Sequence, residues 1–152
     1  AVSTYRSGTP LSMGGGPSLP LFGGGNKPDR VLGVSPRTSI GAGDFDPAKD
    51  LYLNIAAFSQ PAPFTIGNVG RVEPNVRGFS YLNHDIAVLK RTPVASLSET
   101  FNVEFRAEFL NILNQTVFTN PATGTTSPTT FGKVSGQANT PRQIQFGLKI
   151  NF

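Results

Sequence analysis

Two stretches of the chain alternate strictly between apolar and polar side chains. Phe101, Val103, Phe105, Ala107 and Phe109 fall on one side of an extended backbone, with Asn102, Glu104, Arg106 and Glu108 on the other. Period two over that length predicts a β-strand. The rhythm returns from Gln143 to the final residue, where Gln143, Gln145, Gly147, Lys149 and Asn151 oppose Ile144, Phe146, Leu148, Ile150 and Phe152. Tyr81 to Arg91 sets Leu82, Ile86 and Val88 against Asn83, Asp85 and Ala87, and Thr92-Pro93 is expected to end it. Ala1 to Arg6 reads as a strand already under way, stopped by Ser7-Gly8-Thr9-Pro10, which leads us to expect a cut N-terminal end.

Between these strands the pattern dissolves. Gly14-Gly15-Gly16-Pro17, Gly23-Gly24-Gly25-Asn26-Lys27-Pro28 and Gly41-Ala42-Gly43-Asp44 interrupt short apolar pieces such as Leu19 to Phe22 and Leu51 to Phe58. The expected organisation is therefore 1–12, a truncated N-terminal strand; 13–66, a long Gly/Pro-rich loop region; and 67–152, antiparallel strands. Leu110 to Asn114 breaks the alternation and reads as one helical turn or a bulge, followed by a loop from Thr116 to Thr130. The fold class is all-β, and the 17 Gly and 13 Pro argue against a helical bundle. A strand with one apolar and one polar face separates two environments. In a sandwich its apolar side meets a second sheet, and in a membrane barrel it meets lipid while the polar side lines a lumen.

Composition narrows the chemistry. With no Cys, a disulfide framework, a thiolate zinc site, an iron–sulfur cluster and a Cys nucleophile are all excluded. The net charge of +4 comes from 13 basic residues that stand singly apart from Lys90-Arg91, so no nucleic-acid partner is expected. No run of about 18 apolar residues is present, which excludes a helical membrane span but not a barrel wall, whose strands need only about ten alternating residues.

Read back from its end, the chain shows Gln145, Gly147, Ile150 and Phe152, a polar-x-Gly-x-x-apolar-x-aromatic ending. This resembles the C-terminal signal of bacterial outer-membrane β-barrels, which the assembly machinery reads as an added strand. Other blocks precede it in order: Gly67-Asn68-Val69-Gly70-Arg71, Asn83-His84-Asp85-Ile86-Ala87-Val88-Leu89-Lys90, Phe105-Arg106-Ala107-Glu108-Phe109-Leu110-Asn111-Ile112-Leu113-Asn114, Phe131-Gly132 and Pro141-Arg142-Gln143-Ile144-Gln145-Phe146. From about Ser7 to Phe152 they resemble the C-terminal end of large TonB-dependent outer-membrane receptors, of the acidobacterial type with a carboxypeptidase-regulatory-like N-terminal domain. The resemblance implies a gated barrel of about 22 strands with an N-terminal plug, importing a bulky nutrient on energy from the inner membrane.

This chain supplies about four to six strands, whereas a closed membrane barrel needs at least about eight. Two readings follow: a segment of barrel wall whose partners are the remainder of the receptor barrel and outer-membrane lipid, or a β-rich subunit that pairs with identical copies of itself in an extracellular filament by strand addition. In both, Ala1 to Arg6 and Gln143 to Phe152 are the expected edge strands.

Candidate chemistry is sparse, and neither a catalytic activity nor a cofactor is expected. His84 and Asp85 are adjacent on a strand, so they point to opposite faces and form no dyad. Glu104, Arg106 and Glu108 share a face at spacing two and, with Lys149 on the last strand, suit a polar interior in which ion pairs form with an adjacent strand. Asp44, Asp46 and Asp50 offer oxygen ligands without the distal Glu of a full calcium loop, and a structural calcium ion there is the one metal site left open.

Overall fold

The computed structural model describes residues 1–19, 24–41, 44–94, 96 and 100–152. The expected apolar piece from Leu19 to Phe22 and the glycine runs at 23 and 41–44 lie partly outside them. Among the described residues ten strands form: β1 (Val2–Arg6), β2 (Pro10–Leu11), β3 (Gly16–Leu19), β4 (Gly24–Asn26), β5 (Asp29–Arg30), β6 (Phe58–Ser59), β7 (Glu73–Arg77), β8 (Tyr81–Pro93), β9 (Asn102–Leu110) and β10 (Gln143–Asn151), with a single 3-10 turn at Ile55–Ala57. They fall into two compact units, one of Ala1–Ser7, Ser80–Val117 and Gln137–Phe152, the other of Gly8–Phe79 and Phe118–Gly136.

The first unit is one antiparallel sheet in the order β1-β8-β9-β10, with β1 and β10 at its edges. The β8–β9 ladder runs from Ile86 opposite Phe109 to Pro93 opposite Asn102, and β10 lies along β9 from Gln143 opposite Leu110 to Asn151 opposite Asn102. β1 covers only the first part of β8, Val2 opposite Asp85 to Arg6 opposite Tyr81. Three boundaries differ from the sequence reading. β8 runs two residues past Arg91 and ends at Pro93 itself, a strand terminus where a missing N–H is tolerated. Phe101 lies just outside β9, its carbonyl accepting from Val94 N at 3.0 Å to close the β8–β9 connection. Phe152 lies beyond the last ladder pair.

The break after β9 is a turn rather than a helix or bulge. Asn111 and Asn114 adopt left-handed φ values of 49° and 50°, a conformation that Asn accepts better than most residues. Asn111 is buried and fully bonded: its Oδ1 accepts from Gln115 N, its Nδ2 donates to the carbonyls of Gln115 and Thr140, and its own N–H donates to Asp85 Oδ1 at 2.8 Å.

Residues 13–66, expected to be a long Gly/Pro-rich loop region, are mostly irregular in backbone yet carry much of the second unit's core. That stretch contributes Met13, Phe45, Tyr52, Leu53, Ala57 and Phe58 to a core completed by Leu11, Val69, Val76, Phe131 and Val134. Met13 and Leu53 have no exposed surface and Phe131 has 1%. The Phe45, Tyr52, Phe79 and Phe118 rings pack with centroids 4.6–5.9 Å apart. Short two-stranded pairs, β2–β7, β3–β4 and β5–β6, frame this core. No period was visible because irregular backbone is held here by single polar residues. Buried Asn26 accepts from Gly67 N and Lys27 N and donates to Thr65 O, while Arg30 donates to the carbonyls of Val31, Val34 and Ala57. Gly67 permits this crossing, since a Cβ there would stand 1.9 Å from Lys27 O.

The core predicts a specific weakness. Phe131→Ala should cost the second unit about 3–5 kcal/mol and speed proteolysis within 24–79, with the β8–β9–β10 strands remaining protected. Unchanged cleavage would show that the second unit is not held by this core.

Candidate functional site

The first unit presents two side-chain faces and little interior. On one face the register aligns Ile86 with Phe109 and Ile144, Val88 with Ala107 and Phe146, and Val103 with Ile150, while Phe105 stands opposite Leu148. The Phe146 ring lies 6.1 Å from Phe105 and 6.3 Å from Phe109, so the three aromatics share this side. Phe146 nevertheless remains 65% exposed and Leu148 68%. Only Ala107 among the apolar residues of these three strands is buried. Phe101 extends the same alternation from outside the strand.

The opposite face carries Glu104 between Arg91 and Lys149, Arg106 between Leu89 and Gly147, and Glu108 between Ala87 and Gln145. The ion pairing expected between strands runs along β9 instead, from the Arg106 guanidinium to Glu108. Among the described residues Glu104 makes no ion pair with either flanking cation. Arg91 is held by Asn102, whose Oδ1 accepts from Arg91 Nε at 3.0 Å and from Asn151 Nδ2 at 2.8 Å. One buried side chain thus ties β8, β9 and β10 together at their common end. Alternation places Asn102 only on the polar face; the tie depends on register, which no local pattern of the sequence shows.

The terminal motif is distributed along the free edge strand. Gln145 stands opposite Glu108, Gly147 opposite Arg106 and Ile150 opposite Val103, while Phe152 is 93% exposed beyond the ladder. The outer edge of β10 has no strand partner among the described residues.

Other candidate chemistry resolves into local bonding. His84 Nδ1 lies 2.8 Å from Ser3 Oγ, a cross-strand link between β8 and β1. Asp85, which would have to orient the imidazole, points to the other face and spends its Oδ1 on Asn83 Nδ2 and Asn111 N. Asp46 accepts from Lys49 at 2.9 Å and from Ala48 N, and Asp50 accepts from Asp46 N. The bond from Lys49 holds the Asp46 carboxyl below its ordinary pKa and raises that of Lys49. Among the described residues no three acidic or imidazole groups converge to hold a metal.

A sheet with an uncovered apolar face and an opposed charged face is built to stand between two environments. A model of the outer membrane beta barrel domain family matches residues 1–145, and the chain belongs to that family. It is an outer-membrane β-barrel protein of the bacterial outer membrane. No curated protein and no solved structure matches it. The strands suit that setting: nine residues at about 3.4 Å each, tilted by about 40°, span roughly the 25 Å apolar band of such barrels.

The faces can be told apart by charge. Phe146→Arg, placed further from the short-connection end, should destabilise the inserted protein by about 2–4 kcal/mol, the cost of a cation deep in the bilayer, and Gln145→Arg by no more than about 0.5 kcal/mol. Urea titration in phospholipid vesicles measures both, and equal costs would show that the two faces meet the same environment.

Proposed function

We propose that the chain is the C-terminal wall segment of a TonB-dependent outer-membrane receptor, structural rather than catalytic. The observation that carries this reading is β10: its side chains alternate along the whole strand, its inner edge is fully paired and its outer edge has no strand partner among the described residues. Backbone groups in hydrocarbon must be paired, so that edge and the Ile86–Pro93 part of β8 not reached by β1 call for further strands of the same barrel. The partners are the remainder of the receptor barrel and the surrounding lipid. No feature of the sheet favours the filament reading.

Connection lengths orient the wall. Residues 7–80 and 111–142 both leave the sheet at the end marked by Tyr81, Leu110 and Gln143, whereas 94–101 joins β8 to β9 at the other. Outer-membrane barrels place long connections outside the cell and short turns in the periplasm. By that rule the connections 7–80 and 111–142 are the extracellular ones and 94–101 is the periplasmic turn.

A non-catalytic role agrees with the use of each reactive group. His84 is bonded to Ser3 on the apolar face, and its neighbour Asp85 bonds Asn83 and Asn111 instead. Replacing His84 by Ala should leave import unchanged.

The terminal signal has its own test. A Cβ at Gly147 would meet only Arg106 Cβ at 4.0 Å, an ordinary contact, so Gly147→Ala fits the folded wall. In the full-length protein, deletion of 145–152 should abolish outer-membrane integration, and Gly147→Ala should slow it without lowering the stability of molecules already inserted. Normal integration after the deletion would remove the signal assignment. Cargo uptake that persists in cells lacking TonB would remove the receptor assignment while leaving the wall intact.

A further inference from the structure

The apolar face of the wall carries one lysine. Lys90 follows Ile86 and Val88 at spacing two and stands opposite Phe105, which in turn stands opposite Leu148. The next row towards the short connection is Thr92, Val103 and Ile150. The Lys90 side chain is exposed, and among the described residues no carboxylate pairs with it. Glu104 and Glu108 belong to the other face. Its neighbour Arg91, on that polar face, is by contrast tied to Asn102.

An ammonium on a lipid-facing strand is unfavourable unless its stem carries it to the interface and an anion meets it there. Lys90 lies three residues from the strand terminus at Pro93, about 10 Å along the chain, so its flexible four-carbon stem can lift the charge most of the way to the short-connection rim. We propose that Lys90 is a headgroup site on the outer wall, binding the phosphate of an anionic phospholipid on that side of the membrane. Charge complementarity selects this occupant. A protein partner would have to bury a carboxylate against Phe105 and Leu148, at a desolvation cost that a headgroup already at the interface does not incur. The proposal rests on the apolar face being the lipid face.

The test uses the full-length protein in phosphatidylcholine vesicles with and without phosphatidylglycerol of the same chain length. Added anionic lipid should raise the folded-to-unfolded ratio about fivefold more for the native protein and for Lys90→Arg than for Lys90→Gln. An equal gain for Lys90→Gln overturns the site, as does the same gain from inorganic phosphate added to phosphatidylcholine vesicles. A nitroxide attached through Phe105→Cys reads the face independently. If a water-soluble nickel chelate quenches it while oxygen does not, the face assignment fails and the proposal with it. If oxygen reaches it and the chelate does not, a null result at Lys90 refutes the headgroup site alone.

Discussion

The wall depends on its backbone ladders. Because β8, β9 and β10 satisfy one another's N–H and C=O groups along their shared edges, the side chains are not needed to hold the strands together and both faces can be given to the surroundings. Phe105, Phe146 and Leu148 stay largely uncovered on one side, and Glu104, Arg106 and Lys149 occupy the other. In water such a sheet would expose a large apolar surface. In a bilayer the same surface is the stabilising one.

Polar residues finish what the ladders begin. Asn102 joins three strands at one end, and Asn111 with Asp85 fixes the departure of the chain from β9 at the other. Each is buried with its hydrogen-bonding groups engaged, the condition under which a buried amide contributes to specificity rather than costing stability. Register is pinned at both ends, and the apolar rows between need only alternate.

The sheet was legible in the sequence because its side chains obey a period. Phe101 to Phe109 and Gln143 to Phe152 showed their faces without any knowledge of neighbours, and both edge strands followed from position in the chain. The second unit was not legible, since Met13, Leu53 and Phe131 reach one core from distant, aperiodic positions. Contacts such as Asn26 with Gly67, or the close approach of Gly67 to Lys27, depend on three-dimensional crossings that no local window contains. The candidate site was partly legible for the same reason: face membership is a local property, whereas the pairing of Arg106 along its own strand and the triple tie at Asn102 depend on rotamers and register.

The second unit also sets an order of events during biogenesis. Phe131 and Val134 belong to its core but follow β9 in the chain, so they emerge only after the strands that interrupt the unit have been made. Until then residues 8–79 hold an incomplete core missing the Phe58–Phe131 ring contact. Long-range closure of this kind is slow compared with local hairpin formation. A segment that cannot finish folding early remains an open chain while it travels, and it becomes a compact body only when its last contributors arrive.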